Sequence, residues 1–279
     1  MHAGTRNALR SKSMRVGWIG LGAIGTPMAQ RVLGAGHRLV AYARGAGQEA
    51  IARQGGELSA DYRAIAAGCE VLGVCLFNDA QVRATLLDGG ALAAMPRGAV
   101  LALHTTGSPA LARKLGDLAP LGVQVIDACF SGGPQEVREG RLTIMVGGDA
   151  AAVARAQPVL SSFGSPISHV GPLGAGQTLK LLNNLLFAAN LKHAAEVIGL
   201  AKEQGLDPLL AAKIIQSASG ASMAMSRFVH AQPEQMMPAV WPYLAKDVST
   251  VAASAHDAGL NLASFDAVIA HFTQATGSE

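Results

Sequence analysis

Residues 14–33 read M-R-V-G-W-I-G-L-G-A-I-G-T-P-M-A-Q-R-V-L, a short apolar strand that runs through a glycine-rich turn into a helix. Gly20, Gly22 and Gly25 have the G-x-G-x-x-G spacing of dinucleotide-binding loops. The first glycine of that motif permits a tight turn, the second lets a pyrophosphate approach, and the third lets the helix pack on the strand. The spacing alone is a weak signal in a chain with 33 glycines, but the flanking strand and helix supply the required context. The predicted cofactor contacts in this loop are Gly20, Gly22, Ala23, Ile24 and Gly25.

The end of the second predicted strand, residues 38–43, indicates which dinucleotide is bound. NAD sites usually place an Asp or Glu about 20 residues past the fingerprint, where it accepts from the ribose 2′-hydroxyl. Arg44 stands there instead, and a guanidinium suits a 2′-phosphate, while Glu49 lies too far along the chain. NADP is therefore the preferred cofactor and NAD the second choice. The alternative for Arg44 is a solvated arginine in a loop.

Composition limits the classes of function. Half of the 279 residues are apolar and 15% are charged, with a formal net charge of +3, which is typical of a compact globular protein and not of a disordered one. No dense run of Lys and Arg with interleaved aromatic residues is present, so no nucleic-acid partner is expected. The eight histidines show no metal-ligand spacing, so no metal is expected.

Cysteine usage and the first residues bear on the compartment. Cys69, Cys75 and Cys129 are an odd number without metal spacing, which favours free thiols in a cytoplasmic protein. Residues 1–13 carry cationic side chains but no apolar core, so a flexible leader is expected and a signal peptide is not. The apolar run near residues 179–191 is interrupted by Lys180 and by asparagines, so no membrane span is expected.

Strand-like apolar runs alternate with helical stretches over roughly the first 170 residues. This alternation predicts an α/β fold with a doubly wound, Rossmann-type, mostly parallel sheet, followed by an all-α C-terminal domain that begins with a long helix at about residues 176–204. The predicted domains are an NADP-binding Rossmann domain at residues 14–172 and an all-helical substrate and oligomerisation domain at residues 173–279. The apolar runs are at residues 16–19, 38–43, 71–77, 99–104, 123–127, 143–146 and 167–170, with helices at 80–87 and 110–118.

Lys180 and Asn184 lie four residues apart in G-A-G-Q-T-L-K-L-L-N-N, residues 174–184, so an amine and a carboxamide project from the same face of the predicted helix. The surrounding leucines predict partial burial, which lowers the pKa of a lysine toward the range that is useful for proton transfer. Taken alone, the pair also fits a lysine that extends its amine to solvent beside an ordinary asparagine.

Two further segments carry chemistry. In D-A-C-F-S-G-G-P, residues 127–134, a strand is followed by Ser131, Gly132 and Gly133, a loop whose exposed amides and hydroxyl can hold a carboxylate. A bare S-G-G is more often only a turn. In Y-L-A-K-D-V, residues 243–248, Lys246 and Asp247 would by themselves indicate a solvated helix face.

In this order and spacing, the four segments resemble the β-hydroxyacid dehydrogenase family, typified by 3-hydroxyisobutyrate dehydrogenase and tartronate semialdehyde reductase. The resemblance covers residues 14 to about 272. It implies that Lys180 is the catalytic acid/base, that Asn184 and Asn183 orient the substrate, and that Lys246 closes over substrate and cofactor. It also implies that the substrate carboxylate is bound by Ser131, Gly132 and Gly133. The remaining implied cofactor contacts are Leu76, Phe77, Asn78, Thr105, Lys246 and Asp247.

The implied reaction interconverts a short β-hydroxyacid and its aldehyde or keto acid, with a hydride from NADPH and a proton from Lys180. One alternative is an imine reductase of the same superfamily, although those relatives commonly replace the lysine. Another is a catalytically silent NADP-binding module, which predicts loss of the lysine or of the S-G-G loop. The expected partners are a small carboxylic acid and a second copy of the chain, in a homodimer or homotetramer.

The sequence departs from the family pattern in two places. Cys129 and Phe130 replace a proline and a valine before the S-G-G loop, where Phe130 either narrows the pocket or packs inward. Leu103 and His104 replace the first two positions of a D-x-S-T block. His104 is expected to be a hydrogen-bonded structural histidine, with a contact to cofactor or substrate as the alternative.

Overall fold

The computed structural model of the chain describes residues 13–42 and 44–274. It divides into two compact units, Met1–Gln177 and Thr178–Glu279, so the division falls a few residues beyond the predicted boundary at 172/173. The expected leader, residues 1–13, lies outside the described residues except for Ser13, and so does residue 43 of the second predicted strand.

An eight-stranded sheet forms the centre of the first unit. Its strands are β1 (Arg15–Ile19), β2 (Arg38–Tyr42), β3 (Glu57–Ser59), β4 (Val71–Val74), β5 (Val100–Leu103), β6 (Gln124–Ser131), β7 (Leu142–Gly147) and β8 (Gly164–Gly171). Their order is β3-β2-β1-β4-β5-β6-β7-β8. Neighbouring strands are parallel except for β6 and β7. The predicted Rossmann-type, mostly parallel sheet is confirmed.

Helices cover both faces of this sheet, which is why the strands β1, β4, β5, β6 and β7 are buried over most of their length and do not alternate. They are α1 (Gly25–Gly34), α2 (Gln48–Arg53), α3 (Tyr62–Ala67), α4 (Asp79–Arg83), which a π-helical turn at Ala84–Asp88 continues, α5 (Pro109–Leu118), α6 (Pro134–Glu139) and α7 (Ala150–Leu160). An apolar core lies on each face of the sheet, and successive residues of β5 alternate between the two. Val100 and Ala102 belong to the same core as Phe163, whereas Leu101 and Leu103 belong to the core on the other face.

The strand boundaries differ from the prediction where hydrogen bonding changes. β4 ends at Val74 and not at residue 77, because the Leu76 N–H donates to the side-chain hydroxyl of Thr105 and not to a strand backbone. β6 extends past the predicted end at residue 127 to Ser131, since it pairs antiparallel with β7 over that length. The three-residue strand β3 was not predicted.

Among its described residues the second unit contains helices, turns and loops but no strand, which confirms the all-α prediction. Helix α8 (Ala175–Glu203) contains the boundary between the units and is followed by α9 (Pro208–Gln216), α10 (Pro233–Asp257) and α11 (Asp266–Gln274), with short 3-10 turns at Met225–Val229 and Ala263–Phe265. The core of this unit includes Phe228 and Phe272, both fully buried. Trp241 packs on Phe272 with ring centroids 4.9 Å apart. Over the described part of the chain, no helix is long and apolar enough to cross a bilayer.

Candidate functional site

The glycines of the fingerprint lie at the turn from β1 into α1, and each has a different steric surrounding. Gly20 has φ +108°, and a Cβ there would lie 2.0 Å from the carbonyl oxygen of Cys75. A Cβ on Gly25 would lie 2.0 Å from the carbonyl oxygen of Gly20. A Cβ on Gly22 would have no heavy atom within 4 Å, so the backbone there faces open space. This arrangement fits a pyrophosphate that approaches the Gly22 backbone and the start of α1.

A cleft of about 940 Å³ opens beside this turn and lies entirely within the first unit. Its wall includes six of the predicted cofactor residues, namely Gly20, Gly22, Ala23, Arg44, Leu76 and Phe77. Ile24 and Gly25 do not line it; Ile24 packs against the apolar core, and Gly25 begins α1. The volume is in the range of small-molecule and cofactor pockets.

Arg44 follows β2 at the cleft and is exposed. Arg138 also lines the cleft, whereas none of the described lining residues is an Asp or Glu. Two stacked tyrosines form another part of the wall, with the rings of Tyr42 and Tyr62 centred 4.1 Å apart. The cleft therefore presents cationic and aromatic groups, which suit an anionic nucleotide.

The segments after β4 and β5 meet at the carboxyl edge of the sheet. Leu76 and Phe77, two of the predicted cofactor contacts, line the cleft. Asn78 and Thr105 do not line it, and both have hydrogen bonds to the protein itself. The Asn78 Oδ1 caps α4 by accepting from the Gln81 N–H at 2.9 Å. The Thr105 hydroxyl oxygen accepts from the Leu76 N–H at 2.8 Å, so Thr105 holds a cleft residue in place.

Asp127 and Gln177 form a buried connection that sequence reasoning did not single out as part of the site. The carboxylate of Asp127 accepts from the backbone N–H of Gly174 at 2.8 Å and of Gln177 at 2.5 Å, near the start of α8. Burial raises the pKa of Asp127, against the lowering effect of these amides. Asp127 begins the segment D-A-C-F-S-G-G-P and Gln177 lies in G-A-G-Q-T-L-K-L-L-N-N, but no local pattern indicates that the two residues meet.

The S-G-G loop follows β6 and leads into α6. Gly132 has φ +128°, which only glycine adopts without strain. The Gly133 N–H donates to the Glu136 carboxylate at 2.7 Å, an N-terminal cap with Pro134 in the first helical position. The Gly133 N–H is therefore not a free donor, because the chain's own carboxylate accepts from it; the binding of a substrate carboxylate by Ser131, Gly132 and Gly133 stays a prediction. Phe130 packs inward against the core.

The second unit brings four of its predicted residues together. Asn184 is buried, and its Nδ2 donates to Asp247 Oδ2 at 2.6 Å. Asn183 Nδ2 donates to Asn184 Oδ1 at 3.0 Å, and Lys246 Nζ forms an ion pair with the other oxygen of Asp247. Asp247 was predicted to contact cofactor, but both its oxygens hold neighbouring side chains, and its helix face is buried and not solvated.

Lys180 is half-buried on α8, one turn before Asn184. The structure thus retains the predicted spacing of an amine and a carboxamide on one helix face. The carboxamide is fixed by Asp247, and its orientation is set because its Nδ2 donates to a carboxylate while its Oδ1 accepts from Asn183. This fixed polar group beside a lysine is an arrangement that can bind and protonate an oxygen of a small molecule.

His104 lies in the core and not in the cleft. Its ring stacks on Trp18, with the ring centroids 5.4 Å apart, and meets Phe163 edge-on, with the centroids 5.5 Å apart. Nδ1 must carry the proton, because it lies 2.8 Å from the Ala128 carbonyl oxygen, which can only accept. Among the described residues Nε2 has no hydrogen-bond partner, so the expected structural role is found but its full hydrogen bonding is not. Burial lowers the pKa of His104 to about 4.

Two family models match the chain and together span nearly all of it. Residues 15–171 match the NAD binding domain of 6-phosphogluconate dehydrogenase. Residues 174–279 match the model described as NAD-binding of NADP-dependent 3-hydroxyisobutyrate dehydrogenase. The two matches correspond to the α/β part and to the helical part of the fold.

Individual relatives agree with these models. A 2-(hydroxymethyl)glutarate dehydrogenase of Eubacterium barkeri is 37% identical over 218 residues, which are 77% of this chain and 72% of the relative. An NAD-dependent L-serine dehydrogenase of Pseudomonas aeruginosa is 34% identical over 214 residues, 76% of this chain and 72% of the relative. Among solved structures, the 3-hydroxyisobutyrate dehydrogenase from Salmonella typhimurium has a TM-score of 0.84 at 28% identity, covering 95% of this chain and 94% of that one.

Proposed function

Since the chain belongs to the β-hydroxyacid dehydrogenase family, we propose that it interconverts a short β-hydroxyacid and its aldehyde or keto acid with NADP(H). Family membership makes it an NAD(P)-dependent oxidoreductase that acts on CH–OH groups. The observation that carries the proposal is Lys180 on α8, one turn before an Asn184 carboxamide that Asp247 holds in a single orientation.

The preference for NADP is supported by the charges of the cleft. Arg44 and Arg138 line it, and its described lining contains no acidic side chain that could accept from a ribose 2′-hydroxyl. A guanidinium forms charge-assisted hydrogen bonds with a 2′-phosphate. NAD is the alternative, and one relative is named as NAD-dependent.

The proposed chemistry of the protein is proton transfer and charge stabilisation. A bound reduced nicotinamide supplies the hydride. Lys180 donates a proton to the oxygen of the substrate carbonyl as it becomes an alkoxide, and in the oxidative direction it removes the hydroxyl proton. Its positive charge also stabilises the developing alkoxide. Asn184 orients the substrate oxygen, and Lys246 closes over substrate and cofactor.

The experiment measures the loss of reduced-nicotinamide absorbance with NADPH and NADH in the presence of succinic, malonic and tartronic semialdehydes and glyoxylate. We expect turnover with NADPH in the wild type and its loss in Lys180→Met, which lacks both charge and proton. Lys180→Arg serves as the matched variant, since it keeps the charge without a removable proton. Full activity of Lys180→Met, with cofactor still bound, would contradict the role of Lys180.

A second candidate function is favoured by the Gly133–Glu136 hydrogen bond. A carboxylate at this loop meets the like charge of Glu136 and a Gly133 N–H that is already in use. A substrate without a carboxylate, such as a cyclic imine, does not face this repulsion. Turnover of a cyclic imine by the wild type, with no activity on the semialdehydes, would establish this reading and replace the first.

We also propose that the chain forms a homodimer or homotetramer. Five large apolar side chains form one exposed stripe along α8. Leu206, which precedes α9, and two residues of α9 add three more exposed apolar side chains. These residues are Leu179, Leu182, Leu186, Val197, Leu200, Leu206, Leu210 and Ile214. Together they expose on the order of 700 Å², close to the roughly 800 Å² that each partner buries in a stable interface of standard size. A second copy of the chain is the proposed occupant. Light scattering on Leu186→Glu tests it, and an unchanged molar mass would count against it.

A further inference from the structure

Gln177 connects the start of α8 to the loop that follows β5, and it does so from within the first unit. Its Nε2 donates to the carbonyl oxygen of Thr105 at 2.7 Å, and its Oε1 accepts from the Gly107 N–H at 2.9 Å. Gln177 is buried, with 3% of its surface exposed. Both ends of the carboxamide are therefore used on one loop, so the loop cannot tilt without breaking a buried hydrogen bond.

The loop held by Gln177 reaches the cofactor cleft through a second hydrogen bond. The Thr105 hydroxyl oxygen accepts from the N–H of Leu76, which lines the cleft. On the far side of the loop, the Asp79 carboxylate accepts from the Ser108 N–H at 3.1 Å. The segments after β4 and β5 are thus fixed relative to each other by hydrogen bonds. Gln177 is the buried side chain on α8 that holds the second of these segments in place.

We infer that Gln177 is a positioning residue for the nicotinamide end of the cofactor, acting through Thr105 and Leu76. The inference rests on the proposed function, since it assumes that a nicotinamide dinucleotide occupies the cleft. In doubly wound sheets a dinucleotide lies outside the carboxyl ends of the strands and is shared between the two halves of the sheet. Arg44, the expected partner of the adenosine 2′-phosphate, follows β2 in one half, whereas both of these segments follow β4 and β5 in the other half. A displacement of about 1 Å in a reacting group can lower the rate by roughly 100-fold, so a loop fixed at this accuracy matters for hydride transfer.

The first test compares two ligands on Gln177→Met, which has a similar volume and no hydrogen bonds to the loop. NADPH binding is measured by nicotinamide fluorescence, and adenosine 2′,5′-bisphosphate, which lacks the nicotinamide, by calorimetry. We expect NADPH binding to weaken about tenfold, or roughly 1.4 kcal/mol, while the bisphosphate binds as in the wild type. Exposed Gln157 supplies the matched control Gln157→Met, in which both affinities are unchanged.

The second test uses Gln177→Glu and pH. The introduced carboxyl accepts from Gly107 in either form but donates to the Thr105 carbonyl oxygen only when protonated. Burial raises the pKa of the introduced carboxyl group, and so do the carboxylates of Asp127 and Asp79 on the adjoining elements. His104 is neutral, since its pKa is about 4. Lys180 follows three residues further along α8. We expect the kcat of this variant, relative to wild type, to rise as the pH falls, whereas that of Gln177→Met stays low at every pH.

Equal weakening of both ligands in Gln177→Met, or a Gln177→Glu profile as flat as that of Gln177→Met, would overturn the inference, because either would mean a merely structural role. Wild-type affinity and kcat in Gln177→Met would overturn it as well. Failure of the proposed function is distinguishable: a wild type that binds NADPH without turning over any carbonyl or imine would refute the reaction, while the two-ligand comparison would still decide the role of Gln177.

Discussion

Alanine at Gly22 and at Gly25 should separate cofactor binding from packing. The two glycines lie three positions apart in the same turn, but a Cβ on Gly25 would be 2.0 Å from the backbone oxygen of Gly20, whereas a Cβ on Gly22 would have no heavy atom within 4 Å. An ordinary contact at this kind of site is 3.4 Å or more, so Gly25→Ala forces backbone to move by more than an ångström. Gly22→Ala requires no atom of the protein to move when no cofactor is bound.

The magnitudes follow from these distances. Overpacking costs about 1–3 kcal/mol, and a clash between backbone atoms belongs near the upper end, because no side chain can rotate away. Gly25→Ala should therefore lower the Tm by roughly 6–12 °C, at about 2–4 °C per kcal/mol for a protein of this size. Gly22→Ala should leave the Tm unchanged or raise it slightly, since alanine restricts the unfolded chain by about 0.4–1 kcal/mol. Its methyl group instead meets the pyrophosphate, and NADPH binding should weaken at least tenfold, or about 1.4 kcal/mol.

Thermal unfolding and NADPH titration of the two variants form the assay. Gly199 on α8 provides the control, because a Cβ there also has no atom within 4 Å and it is far from the fingerprint in sequence. Gly199→Ala should match Gly22→Ala in stability and the wild type in NADPH affinity. A Gly22→Ala protein as unstable as Gly25→Ala, or one that binds NADPH as tightly as the wild type, would refute the reasoning.

Three further predictions concern charged and titratable side chains. Arg44→Asp should shift the kcat/KM ratio of NADPH over NADH toward NADH by about tenfold or more; an unchanged ratio in steady-state kinetics would count against the role of Arg44. The folded-state pKa of His104, about 4, lies below its unfolded value of 6.5. The free energy of unfolding therefore has its full value above pH 6.5 and decreases by roughly 3 kcal/mol as the pH falls toward 4. In His104→Leu, this part of the pH dependence of thermal unfolding should disappear, and a pH dependence equal to that of the wild type would contradict the prediction. Asp247→Asn leaves the Lys246 ammonium without its carboxylate, which should destabilise the protein by about 3 kcal/mol and lower kcat; removal of both charges in the double variant with Lys246→Met should recover part of the Tm, and no recovery would argue against the pairing.

Local patterns predicted the elements whose signal is local. The bounds of α8, Ala175–Glu203, lie within one residue of the predicted 176–204, because a long apolar helix with a clear stop at Gly205 is visible in any window. β3 is different: it has three residues, Glu57–Ser59, of which two are exposed, and it is held by pairing with β2. No periodicity can reveal a strand of that length.

The candidate site shows the same division. Lys180, Asn184 and the glycine turn were identifiable because each lies in one short segment. The contacts of Gln177 with Thr105 and Gly107 join positions about 70 residues apart, and only the folded sheet brings them together. The Glu136 cap on Gly133 has a local signal as well, since the glycine is followed by a proline and, in the third helical position, by a glutamate.

The two tryptophans lie in different units of the protein, so their fluorescence can report on each unit separately. Trp18 lies in the first unit, fully buried, with its indole N–H donating to the carbonyl oxygen of Gly20 at 3.2 Å, while Trp241 lies in the second unit against Phe272. Trp18→Phe and Trp241→Phe would each leave one indole emitter, and each emitter would report the melting of its own unit. In Trp241→Phe, the remaining indole sits beneath the pyrophosphate turn, so energy transfer to a reduced nicotinamide would register cofactor arrival directly as quenched emission.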